Sequence, residues 1–269
     1  MLFHSLRPQT LLGLLLALAT IQTTAAPLVT WQTDSTAFAL DASGAFTSIT
    51  RRTDGHNYLA TNQPAPLLSV EVDGAFHVPD RAAWDAPAKQ LKLRYTKAGI
   101  TASIKAEAKA THVTLELVGV EPEGRATLAL WGPYPTTIRK TVGEVVGVVR
   151  DGEFALGLQA LNPKTLGGFP ENDEGSADRP YAARQTAWGS VLQSYSMDRS
   201  RPRPIAVWSK RAPNMPVPAI PGETVVGSRI ALFGCPENLA LETIGKIEVS
   251  KRRLKRRLGR LLPESSAES

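Results

Sequence analysis

Hydrolysis of a glycosidic bond uses two carboxyl groups set on opposite sides of it, and acidic residues crowd together in two places. Glu144, Asp151 and Glu153 form one group, and Glu171, Asp173 and Glu174 the other. Asp151 reads more simply as the first residue of a tight Asp-Gly turn. The stretch "ENDEG" reads as a solvated loop, with oxygen ligands suited at most to weak calcium binding. Neither group is assigned a catalytic residue. His56, His77 and His112 are far apart and lack ligand-spaced partners, so they read as surface or strand-edge residues. There is no Gly-x-Ser-x-Gly elbow, His-Glu-x-x-His pair, phosphate-binding loop or dinucleotide fingerprint. Cys235 is the only cysteine, which excludes an internal disulfide and a cysteine-type metal centre. These motifs imply no metal and no cofactor.

Aromatic residues give the other signal. Trp131, Tyr134, Phe169, Tyr181 and Trp188 fall on or beside loops that flank the strongest strand patterns. Aromatic faces next to hydrogen-bonding side chains are surfaces on which sugar rings pack, so these five are the candidate glycan contacts. The competing reading makes Trp131 and Trp188 core residues.

The elements that must position these groups read as short strands. Phe38 and Leu40 lead into the turn "DASG", Phe46 and Ile49 return from it, and "DGHN" closes a second turn. Asp73-Gly74 and Asp151-Gly152 each separate two β-rich runs, a tight-hairpin signal. "KQLKLRY", "ITASIKAEA", "HVTLELVGV" and "RATLALWG" alternate apolar and polar residues as half-buried antiparallel strands do. Later strands are expected in "TAWGSVLQSYS", "PIAVWSK" and "ETVVGSRIALFG". The longest irregular stretch runs from Asn162 to Gln185, and "RAPNMPVPAIPGE" reads as a stiff surface connection. Near the end, Leu239, Leu241, Ile244 and Ile247 fit a short helix opened by Pro236. The pattern predicts an all-β fold, an antiparallel β-sandwich with a short C-terminal helix.

Residues 1–25 have the layout of a secretory signal peptide. Arg7 precedes an apolar run from Leu11 to Ala19, and the small residues Thr23, Thr24, Ala25 and Ala26 follow it. That run is shorter than the ~20 residues that span a bilayer, so no stable membrane insertion is expected. The expected location is periplasmic or extracellular. The chain carries a net charge of +6, but seven basic residues lie between Lys251 and Arg260, and residues 26–250 are neutral overall. Nothing in that neutral body points to nucleic acid.

The block "WGPYPTTIRKTVGEVVGVVRDGEFALGLQALNPKTLGGFPEN", Trp131 to Asn172, resembles the amino-terminal galactose-mutarotase-like β-sandwich of large exported bacterial glycoside-hydrolase-type proteins. The opening "FALDASGAFTSITRRTDGHNYL" is similar to the first hairpins of such sandwiches, and the resemblance runs from about Val29 to Ser250. It implies a supersandwich fold, a carbohydrate partner and no catalytic residue in this chain, because in that arrangement the catalytic carboxylates lie in a following barrel. The expected organisation is a signal peptide at 1–25, a β-sandwich domain at 26–235, a short helix or linker at 236–250 and a basic tail at 251–269. The abrupt change at Lys251 fits a chain truncated before the barrel, with its tail read in a shifted frame.

The function expected on this basis is a non-catalytic glycan-binding or scaffolding domain of a glycoside-hydrolase-like protein. Two alternatives stay open. One is a stand-alone sugar-active enzyme, a mutarotase-like epimerase or a glycosidase, which needs a histidine and a carboxylate converging in a cleft. The other is a surface-interaction protein whose basic tail binds anionic lipid or nucleic acid.

Overall fold

The computed structural model of the 269-residue chain describes residues 26–144, 146–168, 182–206 and 214–259. Three strands open the described chain as a meander: β1 (Val29–Gln32), β2 (Thr36–Leu40) and β3 (Phe46–Arg51). The turn between β2 and β3 forms because the Asp41 carboxylate accepts the backbone N–H groups of Ser43, at 2.9 Å, and Ala45, at 3.1 Å. Then follow β4 (Leu68–Val72), β5 (Ala75–His77), β6 (Arg81–Asp85), β7 (Gln90–Tyr95), β8 (Ile100–Ala108), β9 (Val113–Glu121) and β10 (Leu128–Thr136). The hairpin from β4 to β5 has the predicted two-residue turn, with φ of 52° at Asp73 and 77° at Gly74.

Next come β11 (Thr141–Gly143), β12 (Val148–Arg150), β13 (Phe154–Ala160), β14 (Leu166–Gly167), β15 (Ala183–Thr186) and β16 (Gly189–Met197). The last strands are β17 (Arg203–Ala206), β18 (Asn214–Val217) and β19 (Arg229–Pro236), and helix α1 (Ala240–Gly259) follows after a short 3-10 turn.

All the strand pairings described are antiparallel. One large sheet has the order β14-β16-β10-β4-β5, with β15 added to β16, and the other β11-β12-β13-β19-β9-β8-β7-β6. The fold is an all-β sandwich. Leu91, Leu93 and Tyr95 of β7, Val113, Leu115 and Leu117 of β9, and Ile230 and Leu232 of β19 face Leu68, Val70 and Val72 of β4 and Trp131 of β10 in one core. The buried hydroxyls of Tyr95 and Tyr134 find partners in that core. The Tyr95 hydroxyl donates to the Leu68 carbonyl at 2.8 Å, which ties the two sheets together. The three-stranded meander joins the same core through Phe46, whose ring meets Tyr134 edge-on at 5.2 Å.

Helix α1 covers the outer face of the eight-stranded sheet. Ala240, Ile244 and Ile247 pack with Phe233, Cys235, Ala231, Ala155 and Val148. The apolar face differs from the expected one: Leu239 and Leu241 are exposed, because the contact stripe runs 240, 244, 247 at helical spacing. The helix also runs unbroken past residue 250 to Gly259, across the expected boundary with the basic tail. Among the described residues no helix is long and apolar enough to cross a membrane.

Two segments read as connections contain strands. Asn214–Val217, within "RAPNMPVPAIPGE", pairs with β17, with Pro204 opposite Pro216. A non-hydrogen-bonded pair of an isolated ribbon asks for no ladder N–H, so proline is tolerated there. The irregular stretch from Asn162 to Gln185 is drawn into the six-stranded sheet at both ends, by β14 and β15.

Candidate functional site

The site is a half-open groove of about 460 Å³ on the outer face of the six-stranded sheet. Leu130, Pro133 and Pro135 of β10, Val191 and Gln193 of β16, Arg184 and Thr186 of β15, the turn residue Trp188, and Gln63 and Pro64 line it. Strand alternation assigns the faces of β10: Leu130 points out while Ala129 and Trp131 point into the core. The pairing of β10 with β16 slips between Trp131 and Tyr134, so Gly132 and Pro133 stand opposite the single residue Gln193. Such a bulge re-aims side chains, and here it keeps Pro133 and Pro135 on the groove side and Tyr134 in the core. Gly132, at φ 96°, has a Cβ position 2.8 Å from the Leu192 carbonyl oxygen, so only glycine fits the bulge.

The turn that carries Trp188 is held on three sides. Ala187 and Trp188 connect β15 to β16, which close on each other at Thr186 and Gly189. Arg139 donates from Nη2 to the Ala187 carbonyl at 3.2 Å. Behind the turn, the Thr136 and Ser190 hydroxyls share a hydrogen bond of 2.7 Å. Gly189 lets the turn approach β10, since a Cβ there would lie 2.0 Å from the Thr136 carbonyl oxygen. Trp188 is 39% exposed and therefore offers an aromatic surface to solvent from a fixed base.

The groove's chemistry is mixed. Trp188, Leu130, Val191 and the three prolines give it C–H and ring surfaces, and Gln63, Thr186, Gln193 and Arg184 give it hydrogen-bonding groups. A pyranose presents the same mixture, with apolar ring faces and a hydroxyl rim.

Of the three expected contacts among the described residues, Trp131, Tyr134 and Trp188, the last lines the groove. Trp131 is fully buried and donates from Nε1 to the Ser228 hydroxyl at 2.8 Å. Tyr134 is buried as well, its hydroxyl donating to the Leu67 carbonyl at 2.7 Å, and burial pushes that phenol far above the usual tyrosine range. Both are core residues rather than the expected glycan contacts, since their faces of β10 are turned away from solvent. Phe169 and Tyr181 lie outside the described residues, as do Glu171, Asp173 and Glu174. The sequence reading named none of the remaining groove residues, although the two prolines of "WGPYP" mark backbone that a regular central ladder excludes.

The other chemically suggestive residues are engaged elsewhere. Asp151 accepts the N–H groups of Glu153, at 2.9 Å, and Phe154, at 2.8 Å, as its turn role requires. Arg51 bonds Asp54 and, at 3.0 Å, Glu153, joining the turn after β3 to the β12–β13 hairpin. The Arg51 guanidinium and the His56 N–H hold the Asp54 carboxyl down to about 2. Tyr58 stacks on Phe154 with ring centroids 5.0 Å apart, and burial, then the Asp151 charge, push its hydroxyl up to about 12. His56 is exposed and sits against the Tyr58 ring at 4.5 Å. His77 lies at the end of β5, and Glu144 is exposed beside β15. His112 is buried, and desolvation, followed by Lys109 and Arg229, lowers its pKa to about 4, so it is neutral near pH 7. Among the described residues no three or more His, Cys, Asp or Glu side chains gather as metal ligands would.

Neither a protein-family model nor a curated protein matches this chain.

Proposed function

We propose that this β-sandwich is a non-catalytic carbohydrate-binding domain that holds a glycan in the groove at Trp188. The observation that carries the reading is the half-exposed Trp188, fixed on a three-sided turn above a groove of ring and C–H surfaces edged with amide and guanidinium groups. A rigid aromatic anchor in a preformed groove binds with little ordering cost, which is how sugar-binding surfaces offset weak individual contacts. In this reading the domain is exported by residues 1–25 and works as the mutarotase-like leading sandwich of a glycoside-hydrolase-like protein. The carboxylates around Arg51 support a structural role for that cluster, since Asp54, Asp151 and Glu153 each have partners within the protein.

The test is a panel of soluble polysaccharides in affinity electrophoresis and calorimetry, with Trp188→Ala beside the wild type. Retarded migration of the wild type on at least one glycan, with affinity reduced by about 10-fold or more in Trp188→Ala at unchanged circular dichroism, is the expected result. If no glycan in the panel retards the wild type, or if Trp188→Ala binds as well, the reading fails.

A further inference from the structure

Helix α1 has a face other than the one that packs on the sheet, and the helical register fixes what it carries. An α-helix turns about 100° per residue, so the packed residues Ile244 and Ile247 lie within about 40° of Ala240. Positions 241, 249, 252, 253, 256 and 257 fall between about 100° and 260° round from Ala240, on the side away from the sheet. Four of them are Arg252, Arg253, Arg256 and Arg257, in two i,i+4 rows. The other two are large apolar residues, Leu241, 84% exposed, and Val249, 51% exposed. Glu242, in the same sector, pairs with Lys246 at 2.6 Å. The helix is continuous from Ala240 to Gly259, so this face is one surface about 30 Å long.

The charge there does not depend on which ion pairs form. Residues 251–269 hold seven cations and two carboxylates, Glu264 and Glu268, so their side chains sum to +5 (7 − 2), and residues 26–250 are neutral overall. Guanidinium groups match phosphate oxygens with a planar fork. Nucleic acid would engage the cations alone. A basic helix face that also carries exposed leucine and valine fits the boundary between phospholipid headgroups and acyl chains. We infer that the outward face of α1 docks the protein on an anionic phospholipid surface, Arg252, Arg253, Arg256 and Arg257 taking phosphates and Leu241 and Val249 entering the interface. This contact is independent of the glycan groove at Trp188.

The experiment titrates the full chain with vesicles of phosphatidylglycerol and phosphatidylcholine in equal parts, with pure phosphatidylcholine vesicles and with a DNA duplex, at low and at high salt. The anionic vesicles are expected to bind about 100-fold or more tightly than the neutral ones, and to release the protein as salt screens the charges. Each Lys or Arg near an anionic surface contributes about 5-fold. Changing Arg252, Arg253, Arg256 and Arg257 together to Gln, a good helix former, should therefore cost about 100-fold or more at unchanged circular dichroism. Leu241→Gln with Val249→Gln should weaken vesicle binding about 10-fold and leave any DNA binding as it was. Residues 1–25 are common to every variant, so their apolar run accounts for no difference between them. Equal affinity for the two kinds of vesicle, or no binding to the anionic ones, would overturn the inference on the wild type alone. So would a four-glutamine variant that binds like the wild type. DNA binding as tight as vesicle binding, with the Leu241 and Val249 variant still holding vesicles fully, would overturn it by showing that charge alone is read.

Discussion

Gly189→Ala puts the geometry of the groove to a stringent test. A Cβ at position 189 would stand 2.0 Å from the Thr136 carbonyl oxygen and 2.8 and 2.9 Å from the Thr137 carbonyl carbon and Cα. Non-bonded heavy atoms settle near 3.5 Å, so the start of β16 must withdraw from β10 by more than about 1 Å. The obstacles are backbone atoms, which have no rotamer to change. Overpacking of this kind costs about 1–3 kcal/mol. The withdrawal also pulls on the 2.7 Å hydrogen bond between Thr136 and Ser190, a buried pair contributing about 1 kcal/mol. The expected loss is therefore about 2–4 kcal/mol, or roughly 5–15 °C in Tm for a domain of this size. Urea unfolding followed by tryptophan fluorescence measures it. Gly245→Ala is the control, because a Cβ there meets nothing within 4 Å and alanine suits a helix interior better than glycine. A Gly189→Ala protein within about 0.5 kcal/mol of wild type, or no less stable than the Gly245→Ala control, would refute the argument that β10 and β16 fix the Trp188 turn.

Two further outcomes follow from the core. Trp131→Phe removes ring volume from a fully buried site and leaves the Ser228 hydroxyl without its indole donor, so urea unfolding should show a loss of about 2–4 kcal/mol; glycan affinity should not change, since Trp131 is on the opposite face from the groove. His112, with a pKa lowered from 6.5 to about 4 by burial first, binds protons more readily in the unfolded chain than in the folded one. Its stabilisation is thus present above pH 6.5 and lost as the pH falls toward 4, and His112→Gln should flatten the urea midpoint across that window relative to wild type.

Much of the scaffold was legible in the sequence. The alternation in "KQLKLRY" and "ITASIKAEA" announced β7 and β8, which have one buried and one exposed face. The Asp-Gly pairs at 73 and 151 mark turns because each turn is closed by its own residues, Asp151 by capping two N–H groups nearby in the chain. The site was harder to read. β10 and β16 are buried on both faces over most of their length, so no polar alternation distinguishes core side from groove side. Trp131 and Trp188 looked equivalent for that reason, and a bulge at Gly132 and Pro133 changed the count of residues between them and their partners.

The sequence by itself determined the strands with a wet face, the tight turns, the late helix and the concentration of the net positive charge in Lys251–Arg260, because each depends on residues a few positions apart. The tertiary structure alone decided that Trp131 is enclosed between the sheets and Trp188 stands over a groove. It also brought Gln63 and Pro64 against strands far along the chain. Those assignments arise from which strands pair and which sheet covers them, and non-local pairing leaves no periodic trace in the sequence of a strand buried on both faces.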